Sequence, residues 1–196
     1  FYIDYKFNAH VRDVTELCNL EGTYVFYNCG VADEKVSSRQ VRHTKDNLDL
    51  HSHVCGVISP QYFAINIDHY SEAEHFNTCL NRKISIDGDG NVGNCPILKQ
   101  NIGNVKDDLL ANIIKDVKFT KYKYIKKDDI AKCKDCEFRY ICTDCRAYIE
   151  EPNDVYSAPL KCGYDPYTGK WEEWSTNPMK QGAINYYGMQ ELVKVK

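Results

Sequence analysis

Apolar and polar residues alternate over Phe1 to Phe7, the two-residue period of a strand. From Val11 to Leu20 the period lengthens, placing Val11, Val14, Leu17 and Cys18 on one side of a predicted helix. Gly22 breaks that helix, and the β-branched and aromatic run Thr23-Tyr-Val-Phe-Tyr27 predicts a buried strand. A polar stretch from Ala32 to His53 follows, then Val54-Cys-Gly-Val-Ile58 as another short strand. Strand–helix–strand order predicts an α/β arrangement, either a parallel sheet or a barrel fragment. A complete barrel of this kind takes about 250 residues. Within 196 residues only its closing strand–helix units fit.

The pattern changes near Cys79. Lys83-Ile-Ser-Ile-Asp87 and Asn91-Val-Gly-Asn-Cys95 flank Gly88-Asp-Gly90, which predicts a β-hairpin because glycines accept the positive φ of a tight loop. Asp107 to Ile114 reads as a helix, with Asp107 and Asp108 near its N-terminus and Leu109, Leu110, Ile113 and Ile114 as its apolar face. Lys115 to Lys134 interleaves lysines with aromatics, the expectation for a solvated helix face burying Phe119 and Tyr122. The tail is aromatic, and Trp171-Glu-Glu-Trp174 predicts a helical turn with two packing anchors.

A net charge of −3 gives no global reason to expect nucleic acid or an anionic membrane as partner. No run approaches the roughly 18 apolar residues of a membrane-spanning helix. The opening Phe-Tyr-Ile-Asp-Tyr-Lys lacks the order of a signal peptide, and the chain does not begin with Met. The expectation is a piece of a longer, cytoplasmic protein.

The ten cysteines are unevenly spread. Cys18, Cys29 and Cys55 are scattered, whereas Cys79, Cys95, Cys133, Cys136, Cys142, Cys145 and Cys162 form an ordered series. Four of them lie in one run of thirteen residues, Cys133-Lys-Asp-Cys-Glu-Phe-Arg-Tyr-Ile-Cys-Thr-Asp-Cys145. A Cys-x-x-Cys turn lets two thiolates converge on one metal ion or cluster, so ligation is favoured over disulfides in a reducing compartment. Cys18 and Cys29 fall in predicted core elements and read as packing residues. His51-Ser-His53 lies in a polar loop and reads as surface.

The ordered series resembles the SPASM domain, the auxiliary extension of radical-SAM peptide maturases. Cys79, then Gly90 and Cys95, then the Cys133–Cys145 run, then Cys162 follow that family's order; the one departure is that Cys142 and Cys145 are separated by two residues rather than three. Asn77-Thr-Cys-Leu-Asn-Arg-Lys-Ile-Ser-Ile-Asp87, Asn94-Cys-Pro96, the run continued to Arg146-Ala-Tyr148, and Lys161-Cys-Gly-Tyr-Asp-Pro-Tyr167 are similar to the branch encoded beside an ATP-grasp ligase, the grasp-with-spasm systems. The resemblance implies residues 1–74 as the last units of a partial TIM-like, radical-SAM barrel, 75–170 as the SPASM domain with its hairpin and helices, and 171–196 as an aromatic tail.

It also implies two [4Fe–4S] clusters, one held by Cys79, Cys95 and Cys145 and the other by Cys133, Cys136, Cys142 and Cys162. The fourth iron of the first set is either open to a peptide substrate or closed by another residue, with Cys55 and His75 as candidates; the alternative for Cys55 is a packing residue. Zinc could replace iron at such soft thiolate sites. The implied partners are a ribosomal precursor peptide and an ATP-grasp ligase, with neither nucleic acid nor membrane.

Two features pull against an enzyme. No Cys-x3-Cys-x2-Cys occurs in the chain, so S-adenosylmethionine is implied only if that motif lies upstream. Maturases that oxidise sulfatases place a catalytic Asp after the hairpin cysteine, where this chain has Pro96; Asp87 and Asp89 fit turn chemistry instead. The alternative is a metal-stapled scaffold that presents the precursor to the ligase without radical chemistry. A zinc-binding nucleic-acid module is a third reading. The five-residue gap between the two Cys-x-x-Cys pairs argues against it, because zinc folds space their pairs by about twelve or more.

Overall fold

The computed structural model describes the strands at residues 2–4, 24–27 and 41–43, then residues 55–98 and 100–193. The predicted helix at 11–20, Cys18, Cys29 and the His51–His53 loop lie outside the described residues. The chain divides into two compact units. One comprises Phe1–His51 and Arg82–Lys121; the other comprises Ser52–Asn81 and Tyr122–Lys196.

The first unit is built on a six-stranded sheet. Its strands are β1 (Tyr2–Asp4), β2 (Tyr24–Tyr27), β3 (Val41–His43), β4 (Ser85–Ile86), β5 (Asn91–Gly93) and β6 (Gly103–Asn104), in the order β3-β2-β1-β4-β5-β6. The first four pair in parallel, with Ile3 opposite both Phe26 and Ile86. β4, β5 and β6 are antiparallel neighbours. The hairpin falls where the alternation predicts it. Its turn is held by Asp87, whose carboxylate accepts from the backbone N–H groups of Asp89 (3.0 Å) and Asn91 (2.9 Å), while Gly90 supplies the positive φ of 90°. Ile84, Ile86, Val92, Leu110 and Ile113 form the buried apolar set.

Four predicted elements differ. The short strand expected over 54–58 is a turn at Cys55 and Gly56, with an isolated bridge at Ile58. The helix expected over 107–114 spans only Leu110–Ile113. The Asn104 side chain accepts from Lys106 N–H, and the Asn104 carbonyl from Asp107 and Asp108 N–H, so the two aspartates form a turn rather than a first helical turn. The lysine-rich stretch is not one helix. It breaks into Val117–Thr120 and the 3-10 turns Lys121–Tyr124 and Lys127–Asp129, and Lys127 is only 4% exposed. Trp171 and Trp174 share no helical turn. Gly169, with φ of 68°, closes a hairpin between β7 (Tyr164–Asp165) and β8 (Lys170–Trp171), and Trp174 opens the following 3-10 turn. Trp171 is a packing anchor nonetheless, with its ring 4.9 Å from that of Tyr164 and 6.3 Å from that of Phe63.

The second unit has little regular structure. Its longest helix, Ile67–His75, starts at Asn66, whose side chain caps His69 N–H at 2.8 Å. The rest is turns stitched together by side-chain hydrogen bonds around Ile125, Ile130, Leu160, Ile184 and Met189.

Candidate metal centre

The cysteine run coils through successive turns. Cys136 N–H donates to the Cys133 carbonyl (3.0 Å), Arg139 N–H to that of Cys136 (3.3 Å) and Cys142 N–H to that of Phe138 (3.0 Å). Lys132, at φ 62°, reverses the chain just ahead of Cys133. Cys162 comes from further along. A parallel bridge joins it to Ile58, and the Lys180 ammonium donates to its carbonyl and to that of Leu160.

These contacts bring Cys162 within electrostatic reach of Cys133, Cys136 and Cys142. Burial pushes the Cys133 thiol up to about 11 and the Cys142 thiol to about 12, and raises that of Cys136. In each case the Cys162 charge adds to the rise and the Lys127 ammonium opposes it. Among the described residues no three His, Cys, Asp or Glu side chains converge at single-ion distances, and no cysteine is in a disulfide. An all-sulfur donor set of this kind suits a soft metal or an iron–sulfur cluster, which spreads its thiolates over separate irons.

A buried ionic network underlies the run. Asp144 lies between Cys142 and Cys145 in sequence. Its carboxylate accepts two hydrogen bonds from Arg146 (2.6 and 2.9 Å) and one from Asn77 (2.7 Å), and pairs with Lys127 at 3.3 Å. Burial works to raise its pKa, but Arg146 and Lys127 outweigh that and hold it at about 2. Lys127 also donates to the Cys133 sulfur at 3.7 Å. Burial disfavours its charge, yet Asp144, Cys133 and Cys142 together raise its pKa. Arg146 completes its fork on the carbonyls of Val155 and Ser157. Asn77 fixes Cys79, since its side-chain oxygen accepts from Cys79 N–H (3.1 Å) while its amide donates to Asp144 and to the Ile125 carbonyl. Only the charged neighbours of Cys145 hint at this network in the sequence. Nothing local marks Asn77 or Lys127.

The remaining candidates are placed separately. Cys145 is 3% exposed and its thiol hydrogen-bonds with that of Cys55. Cys79 is half-buried just after the Ile67–His75 helix. Cys95 is buried behind β5 in the first unit, followed by half-buried Pro96. His75 is exposed, its ring edge-on to Phe76. Cys162 lines a cavity of about 420 Å³ walled by Lys132, Glu150, Tyr164, Trp174 and Lys180.

Residues 78–137 match the SPASM family, described as an iron–sulfur cluster-binding domain. The match takes in Cys79, Cys95, Cys133 and Cys136 and ends before Cys142, Cys145 and Cys162. No curated protein and no solved structure matches the chain.

Proposed function

We propose that this chain is the auxiliary-cluster region of a radical-SAM-type maturase that modifies a ribosomally made precursor peptide alongside an ATP-grasp ligase. The iron–sulfur cluster-binding stretch at 78–137 gives the reading its chemistry. The observation that carries it is that Cys162, from a distant segment of the second unit, lies within electrostatic reach of Cys133, Cys136 and Cys142. These four would hold one [4Fe–4S] cluster; Cys79, Cys95 and Cys145 would serve another, an assignment carried by family likeness alone. Such clusters supply a one-electron reservoir.

The protein's own residues do the rest. Lys127 and Arg146 offset thiolate charge, Asn77 holds Cys79, and the cavity at Cys162 offers a polypeptide a route to the group's edge. The parallel strands β1 to β3 support residues 1–74 as closing units of a partial barrel. S-adenosylmethionine belongs to the reading only through a Cys-x3-Cys-x2-Cys outside these residues. Reduced thiols fit a cytoplasmic setting. Among the described residues no helix is long and apolar enough to cross a membrane.

One observation favours a scaffold without radical chemistry. Cys133 sits within a hydrophobic cluster of Ile125 and Ile130, packed by Tyr122 and Val155, as a structural staple would. Metal analysis of anaerobically purified full-length protein separates the two. About eight irons with equal sulfide per chain are expected for two four-iron clusters. One or two zincs without sulfide would replace the maturase with the scaffold.

A further inference from the structure

Cys145 closes the cysteine run, yet the thiol it meets comes from outside that run. Its partner is Cys55, from a distant segment of the same compact unit, and the two thiols hydrogen-bond. Gly56 brings the chain that close. A Cβ on it would lie 2.8 Å from the Cys145 sulfur, and its φ of +77° is one that side-chain-bearing residues rarely adopt. Three further contacts hold the Cys55 segment in place. The buried Lys161 ammonium donates to the Cys55 carbonyl at 2.8 Å, a parallel bridge joins Ile58 to Cys162, and Ala64 N–H donates to the Ile141 carbonyl at 2.9 Å. On the other flank Tyr148 packs against Gly56, with the Lys161 ammonium 5.0 Å from its ring. The backbone is thus fixed on both sides of the contact, so the thiols have little freedom left to lose when a bond joins them.

We infer that Cys55 and Cys145 are a redox pair that closes to a disulfide, with glutathione disulfide, a low-molecular-weight disulfide, as the oxidant. Half-buried Cys55 is the thiol an oxidant reaches first, since Cys145 is buried. Attack by Cys55 on glutathione disulfide forms a mixed disulfide and releases one glutathione as thiol. Cys145 then attacks the Cys55 sulfur, and the second glutathione leaves as thiol. Two protein thiols are oxidised, one glutathione disulfide is reduced, and the two thiol protons end on the two glutathiones. The fold favours the product at equilibrium, because it already holds the two segments together, and the bond closes a long loop in the unfolded chain. While the bond lasts, Cys145 is closed to any metal. The inference itself requires no metal and stands apart from the cluster reading.

The test uses full-length protein, reduced and freed of metal by a chelator, then equilibrated anaerobically over a series of glutathione to glutathione disulfide ratios. Free thiols are alkylated and the disulfides mapped by mass spectrometry. The peptide linking Cys55 to Cys145 should be the first disulfide to appear as the ratio falls. The urea midpoint, read by tryptophan fluorescence, should rise with it by about 1 M or more. Cys55→Ser should lose both changes and leave the other thiols oxidising as in wild type. A different pair closing first in wild type, Cys133 with Cys136 for instance, overturns the inference and needs no variant. So does Cys55 found only as a mixed disulfide with glutathione. A metal-free chain without a cooperative urea transition overturns it too, because the facing pair then exists only in a loaded protein. Iron content bears on the cluster reading alone, so the two can fail separately.

Discussion

Replacing Asp144 by Asn should be among the most damaging single changes in the second unit, although it preserves shape. Two independent routes give the magnitude. The carboxyl is fully buried and held at about 2 against an ordinary 3.8, a gap worth about 2.5 kcal/mol at roughly 1.4 kcal/mol per pKa unit. That gap counts only the proton. The Asn variant also leaves Arg146 and Lys127 as neighbouring buried cations without their shared anion, and breaking such a group from one side costs about 3–5 kcal/mol. The larger figure governs at neutral pH.

Urea denaturation of wild type and Asp144→Asn at matched metal content reads the difference. Both tryptophans, Trp171 and Trp174, lie in the second unit, so fluorescence reports on it. With a slope of about 1–3 kcal/mol per molar urea, the midpoint should fall by roughly 1–5 M. The pH dependence has a definite sign. The native pKa is depressed, so the stabilisation is fully present above about 4 and is lost as pH falls toward 2, where the two proteins should converge. Adding Lys127→Met to Asp144→Asn should recover part of the loss, because the excess cation goes too. A neutral-pH difference below about 1 kcal/mol, or a gap that widens on acidification, would refute the network as a determinant of this fold.

Lys127→Met removes the N–H···S bond to Cys133 and one positive charge, so a cluster on Cys133 should become harder to reduce by tens of millivolts in an EPR-monitored titration. Gly163→Ala and Gly103→Ala should separate sharply in thermal melts. A Cβ at 163 meets the Glu172 backbone oxygen at 1.9 Å and should cost about 3 kcal/mol, whereas one at 103 meets the Ile113 side chain at 2.9 Å, which can turn aside for about 1 kcal/mol.

The Cys133–Cys136 turn and the hairpin are legible in the sequence, because both are local. A Cys-x-x-Cys turn and an Asp-initiated loop are specified within a few residues of themselves. The failures share a cause. The apolar spacing at Leu109–Ile114 fits a helix, but Asn104 takes the preceding N–H groups into a turn. The tryptophans at 171 and 174 have helical spacing, but Gly169 makes a hairpin first. Lys127 looked like solvent-facing lysine, and its burial depends on Asp144, which lies 17 positions away. The compact units are no more local. Nothing near residues 52–81 announces that they pack with 122–196.

The buried charges explain why an apparently costly arrangement persists. Asp144, Lys127 and Arg146 leave one net positive charge in the interior, which apolar residues of similar volume would avoid at no loss of stability. A cluster held by four thiolates is anionic, more so when reduced, and must be matched by positive charge in a low-dielectric setting. Lys127 satisfies both demands at once. It pairs with Asp144 when the thiols are neutral, and it also donates to the Cys133 sulfur. The carboxylate keeps the two cations together, and the cations would offset thiolate charge once a cluster is bound. On this argument Asp144 would serve such a cluster through Lys127 and Arg146, without ligating it.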